Sequence, residues 1–189
     1  FKGKHSHDLF LDTHANLYGE HVSLNAVTGK WETTQWRFNS DAKLTELGEP
    51  LPGVSLVRDA AGNQYGVERA APTLRLFKRA PNGQLITLAG RARGHADGVG
   101  AQAQFTDIEA IVLGPDAQLY VRDYDCIRQV GPDGTVTTLG GKPLAGVPRA
   151  NPSSTLGLAA DRHGNVFVAD TEQGVVRKLS AGNRVETVL

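Results

Sequence analysis

Two acid–imidazole pairs, His7-Asp8 and Glu20-His21, stand near the start of the chain, and Glu68-Arg69, Glu109 and Arg122-Asp123 follow at long intervals. Imidazole nitrogens and carboxylate oxygens are donors that a divalent zinc or calcium ion takes, with water filling a remaining position. An ion held that way polarises a lactone or ester carbonyl and activates water. The same groups read equally as a polar surface that holds a ligand without changing it. Other chemistries lack their residues. No serine sits in a Gly-x-Ser-x-Gly turn, so serine hydrolysis has no support. No Gly-rich phosphate loop of either common type occurs. His5 and His7 are two residues apart and flank the chain's start, and His14 and His163 fall in equivalent turn positions, where they read as solvated.

Composition narrows the partners. The 189 residues carry 20 Lys+Arg against 20 Asp+Glu, a formal net charge of zero. A nucleic-acid binder needs a basic excess to neutralise phosphates, and none exists here. The apolar runs, such as Ile111-Val112-Leu113, are far too short for a membrane-spanning helix. Cys126 is the sole cysteine, which excludes an internal disulfide framework and a cysteine-rich zinc site; its apolar neighbours read as a buried thiol. Asn151-Pro152-Ser153 has proline in the middle and is no glycosylation acceptor. The chain begins Phe1-Lys2-Gly3 and contains no methionine, so further residues are expected before Phe1.

Residues this far apart need a scaffold that brings them together, and the sequence shows one. A strand–turn–strand unit recurs with aromatic anchors at Tyr18, Tyr65, Tyr120 and Phe167. Its turn is Asp59-Ala60-Ala61-Gly62-Asn63 in the second copy and Asp161-Arg162-His163-Gly164-Asn165 in the fourth. Asp and Asn bond nearby backbone there, and Gly accepts positive φ. A third and a fourth strand follow each time, as in Ile127-Arg128-Gln129-Val130 and Thr135-Val136-Thr137-Thr138-Leu139. Four antiparallel strands at this period predict an all-β chain of β-propeller blades, with boundaries near 5–50, 51–106, 107–153 and 154–189.

At these residues the chain resembles the NHL-repeat propellers. The resemblance rests on Gly94-His95-Ala96-Asp97-Gly98-Val99-Gly100, on Leu119-Tyr120-Val121-Arg122-Asp123, on Ile127-Arg128-Gln129-Val130 and on Gly164-Asn165-Val166-Phe167-Val168-Ala169-Asp170. The first copy departs from it, with Gly19-Glu20-His21 where the fourth has Val168-Ala169-Asp170. The family commonly has six blades, which implies that four blades are part of a larger ring, completed within a longer chain or by a second copy; a small four-bladed ring is the alternative. The family includes binding scaffolds, lactonase-like hydrolases and amidating lyases, and fold does not choose among them. The lyases hold zinc with histidines from several blades, whereas His7 and His21 both come from the first. Oxygen coordination of calcium, as in gluconolactonase-like members, is no better matched. Resemblance also implies that Asp123 and Asp170 tie down the turn after their strand, and that the protein is bacterial and extracytoplasmic.

In an antiparallel blade the start of the first strand lies beside the end of the second, so both open on one rim of the central channel. Aligning the copies puts His7, Asp8, Glu20, His21, Glu68, Arg69, Glu109, Arg122 and Asp123 at that mouth, with His7, Glu20 and His21 as the metal candidates. Two readings follow. The first is a binding module whose mouth and loops, including the connections at 22–34 and 142–154, contact a protein, peptide or glycan. The second is a metal-dependent hydrolase or lyase.

Overall fold

The computed structural model describes residues 10–11, 17–24, 27, 29, 31–38, 41, 43–48, 54–70, 72–140, 157–170, 173–180 and 184–188. Among them the only helical turns are short 3-10 segments, Gly100–Gln102 and Pro115–Ala117. The rest is strand and turn, in four antiparallel sheets. The first sheet runs β1 (Phe10–Leu11), β2 (Leu17–Leu24), β3 (Trp31–Phe38) and β4 (Leu44–Gly48). The second runs β5 (Val54–Arg58), β6 (Gln64–Ala70), β7 (Thr73–Arg79) and β8 (Leu85–Ala89). The third holds β10 (Ile108–Leu113), β11 (Leu119–Asp123), β12 (Cys126–Val130) and β13 (Thr135–Leu139), with β9 (Gly98–Val99) added outside β13. The fourth runs β14 (Leu158–Ala160), β15 (Val166–Asp170), β16 (Val175–Ser180) and β17 (Arg184–Thr187).

The expected turns form for the expected reasons. Asp59 Oδ1 accepts from the Asn63 backbone N–H at 2.8 Å, Asp59 Oδ2 accepts from the Asn63 side chain at 2.7 Å, and Gly62 takes φ +84°. Asp161 and Asn165 repeat the arrangement at 2.9 and 2.6 Å. The Tyr65 hydroxyl donates to Asp59 Oδ2 at 2.9 Å, and burial together with that carboxylate raises its pKa. In the third copy Gly114 stands where the second and fourth have Asp and Ala117 where they have Gly, and Asp116 and Ala117 adopt φ of 54° and 57° themselves.

Side-chain alternation along β11 explains how the sheets stack. Leu119 and Val121 join a core with Tyr65, Val67, Leu74 and Leu76 of the second sheet. Tyr120, between them, joins Ile127 in a core with Val166, Val168 and Leu179 of the fourth. The third sheet is thus buried on both faces, which is why all of β11 is buried. Its inner strand β10 neighbours β5 on one side and β14 on the other. The Tyr120 hydroxyl also reaches across to the Gly164 carbonyl at 3.1 Å.

One feature of the first sheet corrects the sequence reading. Residues 22–34 are not a long connection: β2 continues to Leu24 and β3 begins at Trp31, with Leu24 opposite Trp31. The β-branched Thr33 and Thr34 and the aromatic Trp31, Trp36 and Phe38 suit a strand, and the pairing runs unbroken from Leu17 opposite Phe38 to Leu24 opposite Trp31. The 142–154 connection lies outside the described residues.

Candidate functional site

Glu109 and Arg122, two of the residues expected at the rim, lie where the 90–107 segment enters the third sheet. β10 bulges between Ile108 and Ala110, so Glu109 is the extra residue and Ala110, not Glu109, lies opposite Arg122. A bulge re-aims its side chain. Here the Glu109 carboxylate receives the Arg122 Nε–H at 2.7 Å. Arg122 is almost fully buried while the Glu109 side chain keeps 25% exposure. Burial raises the Glu109 pKa more than the neighbouring Arg122 charge lowers it. On the second sheet Glu68 accepts from Arg75 Nε. Beside Glu109, Arg69 Nε stands 3.9 Å and Arg93 Nη1 4.0 Å from the same oxygen of Asp107.

Behind this rim lies a buried group the sequence does not announce. Asp123 Oδ1 accepts from the backbone N–H groups of Thr106 and Asp107 at 2.7 and 2.8 Å. Asp123 therefore ties down the segment before its blade, not the turn after its own strand. Asp170 does tie the following turn, accepting from the Gln173 N–H at 3.0 Å. Arg128, fully buried, donates to Asp123 Oδ2 at 3.1 Å, to Asp97 Oδ1 at 2.8 Å and to the Ala96 carbonyl at 2.8 Å. Asp97 in turn accepts from the Thr138 N–H and hydroxyl at 3.1 and 2.9 Å. Asp97 is thus a clamp between the 90–107 segment and β13.

His95, Asp123 and Cys126 bring their donor atoms within 4.8 Å of one another, close enough to hold a metal. The surroundings do not suit one. Arg128 Nη1 lies 3.1 Å from Asp123 Oδ2 and 3.5 Å from His95 Nδ1, so a guanidinium already supplies the positive charge. Asp123 Oδ1 is committed to two backbone donors. A dication would have to displace the arginine and pay its repulsion.

Of the sequence candidates, Glu109 and Arg122 are brought into contact, Arg69 approaches them through Asp107, and Asp123 turns inward to Arg128. Glu68 pairs separately with Arg75. Glu20 and His21 lie within β2, opposite Gln35 and Thr34, and His21 is three residues short of that strand's end, unlike Asp123 and Asp170, which close theirs. His7 and Asp8 lie outside the described residues. Arg75, Arg93, His95, Asp97, Asp107 and Arg128 are the residues sequence reasoning missed. An arginine between Ile127 and Gln129 in the strand Cys126-Ile127-Arg128-Gln129-Val130 was the available signal for a partner.

Solved structures with the same arrangement of sheets decide the architecture. A streptogramin B lyase superposes with a TM-score of 0.54 at 11% identity, covering 95% of this chain and 53% of that one. The chain is a β-propeller. A putative gluconolactonase matches with a TM-score of 0.52 at 17% identity over 93% of this chain and 59% of that one. An auxiliary nutrient binding protein from Bacteroides ovatus matches with a TM-score of 0.54 at 14% identity over 95% and 46%. The chain therefore spans about half the length of these propellers. At such identities the likeness concerns fold alone. No family model matches the sequence, and no curated protein does. No helix among the described residues is long and apolar enough to cross a membrane.

The rim's titration gives a test of its geometry. Glu109 is harder to ionise in the folded protein than in the unfolded chain, so its carboxylate subtracts stability as pH rises above about 4.5. Asp133 and Asp161 act in the opposite sense. The Thr135 backbone N–H holds the first carboxylate's pKa down and the Asn165 side chain the second's, so their stabilisation is present above about pH 3.8 and lost as pH falls below it. Glu109→Gln should therefore gain on the wild type in thermal unfolding between about pH 4 and pH 7. A difference that does not change with pH would mean that Glu109 is not desolvated.

Proposed function

We propose that the chain is part of an NHL-like propeller that acts as a binding module, holding a peptide or glycan ligand at its channel mouth. The observation that supports this reading is the pairing with arginines of the carboxylates that the sequence assigned to the mouth. Glu109 is committed to Arg122, Glu68 to Arg75 and Asp123 to Arg128, each within hydrogen-bond distance. A catalytic dication needs carboxylates whose charge is available to it, and these are neutralised by fixed guanidinium groups. Asp107 is left between two loosely approaching arginines at an accessible rim, which suits recognition of a polar ligand. The nutrient-binding neighbour is consistent with such use, and the reading places the protein outside the cytoplasm.

The lactonase-like reading keeps its footing in His7, Glu20 and His21 of the first blade. Screening the purified protein against immobilised oligosaccharides and peptides separates the two. Binding that survives EDTA, with no turnover of the bound ligand, is the expected result. Hydrolysis or elimination of a bound ligand that stops on EDTA treatment and in His21→Ala would overturn the module in favour of a metal enzyme.

A further inference from the structure

We infer that Arg69 and Arg93 form a subsite for the carboxylate group of an acidic ligand, seated where the second and third blades meet. This rests on the reading of the mouth as a ligand-binding surface and names the chemistry it recognises. The two arginines come from different parts of the chain, Arg69 from β6 and Arg93 from the segment leading into the third blade. Both point a guanidinium nitrogen at one oxygen, Asp107 Oδ1, and both stop short of a hydrogen bond at 3.9 and 4.0 Å. The neighbouring Glu109–Arg122 pair closes to 2.7 Å. The contrast marks Arg69 and Arg93 as cations held near a carboxylate without being used up by it.

The scaffold around them is stiff. The Asp107 N–H is held by Asp123 Oδ1 at 2.8 Å, and its carbonyl accepts from the Tyr124 N–H at 3.0 Å. Arg93 Nη1 donates to the Thr106 carbonyl at 2.7 Å, which leaves its remaining N–H groups to face outward chemistry. Side-chain exposures of 30% for Arg69, 56% for Arg93 and 45% for Asp107 let a ligand reach all three. Charge complementarity sets the sign. The local group of Arg69, Arg93 and Arg122 carries three positive charges against the two negative charges of Asp107 and Glu109, one positive in excess. One added carboxylate balances it, and two planar guanidinium forks suit its two oxygens.

The test follows arginine Nε–Hε resonances in the 15N-labelled protein during titration with citrate, with sodium chloride at matched ionic strength as control. Saturable shifts at Arg69 and Arg93 with citrate, absent with chloride, are expected. Arg69→Gln and Arg93→Gln should each weaken the apparent affinity roughly fivefold, and Asp107→Asn should tighten it about threefold by removing the competing charge. A galacturonate trisaccharide and an acetylated triglutamate peptide then distinguish a sugar from a peptide as the source of the carboxylate, and the tighter of the two should also lose affinity on methyl esterification. Shifts that chloride reproduces, or no saturable shift at either arginine, would overturn the subsite. Ligands that bind the mouth while leaving both arginines unmoved would overturn it too, yet leave the binding-module reading intact.

Discussion

Arg128→Met is expected to destabilise the protein by about 3–5 kcal/mol, because it leaves a buried carboxylate without its counter-charge. Asp123 and Arg128 are both fully buried, 3.1 Å apart. Burial raises the Asp123 pKa despite the backbone bonds from Asp107 and Thr106 and the charge of Arg128 that lower it, so losing Arg128 removes one of the influences that favour the carboxylate. Removing the guanidinium also strips donors from the Ala96 and Gln104 carbonyls and from Asp97. The 90–107 segment then loses its hold on the third blade, and amide exchange should rise at Thr106, Asp107 and Thr138 before global unfolding. Arg128→Lys should not restore the loss, since a single ammonium does not reach acceptors spread across a planar fork. Chemical denaturation reads the effect. A loss below about 1 kcal/mol would place the pair in the class of weak, solvated ion pairs and contradict its burial.

Phe105→Ala should cost a similar amount, about 3–5 kcal/mol, through a cavity between the second and third blades. Phe105 is fully buried in the core shared with Leu74, Ile108 and Val136. Its ring also lies against Gly90, where a Cβ would come within 2.9 Å of Phe105 and 2.7 Å of the Leu74 carbonyl, so this neighbour offers no side chain to fill the space. The Arg128 guanidinium lies over the same ring at 5.5 Å. The two substitutions should consequently be non-additive, with a coupling of about 0.5–3 kcal/mol in the double mutant. Additive losses would show that the segment is held by two independent contacts and not by one joint cluster.

These two residues show how far the sequence carries. Phe105 stands in the sequence just after the glycine-rich Gly94–Gly100 stretch and just before a strand. Arg128 was visible only as a charged residue in a short strand. Nothing local indicates that Asp123, five residues earlier, and Asp97, far upstream, meet it. The Glu109–Arg122 pair was assigned to the rim but not as a contact, because alignment of the copies placed Glu109 in simple register and the bulge at Ile108 shifts it by one. The expected loop at 22–34 failed for a related reason: strand length in a hairpin is set by cross-strand pairing as well as by apolar pattern.

The sequence by itself determined the strands, the Asp-x-x-Gly-Asn turns and the repeat, hence the propeller architecture. Those signals are local: an Asp bonding a backbone N–H four residues away, and a side-chain period of two, act within one hairpin wherever it sits. Only the tertiary structure decided which arginine meets which carboxylate, and therefore which charges remain available at the mouth. Glu68–Arg75 and Glu109–Arg122 join neighbouring strands of one sheet, while Arg69–Asp107 joins the second sheet to the segment before the third. The distances depend on a bulge, on the path of the 90–107 segment and on how two sheets stack. Coulomb energy changes steeply with such distances, while composition, at zero net charge, says nothing about them.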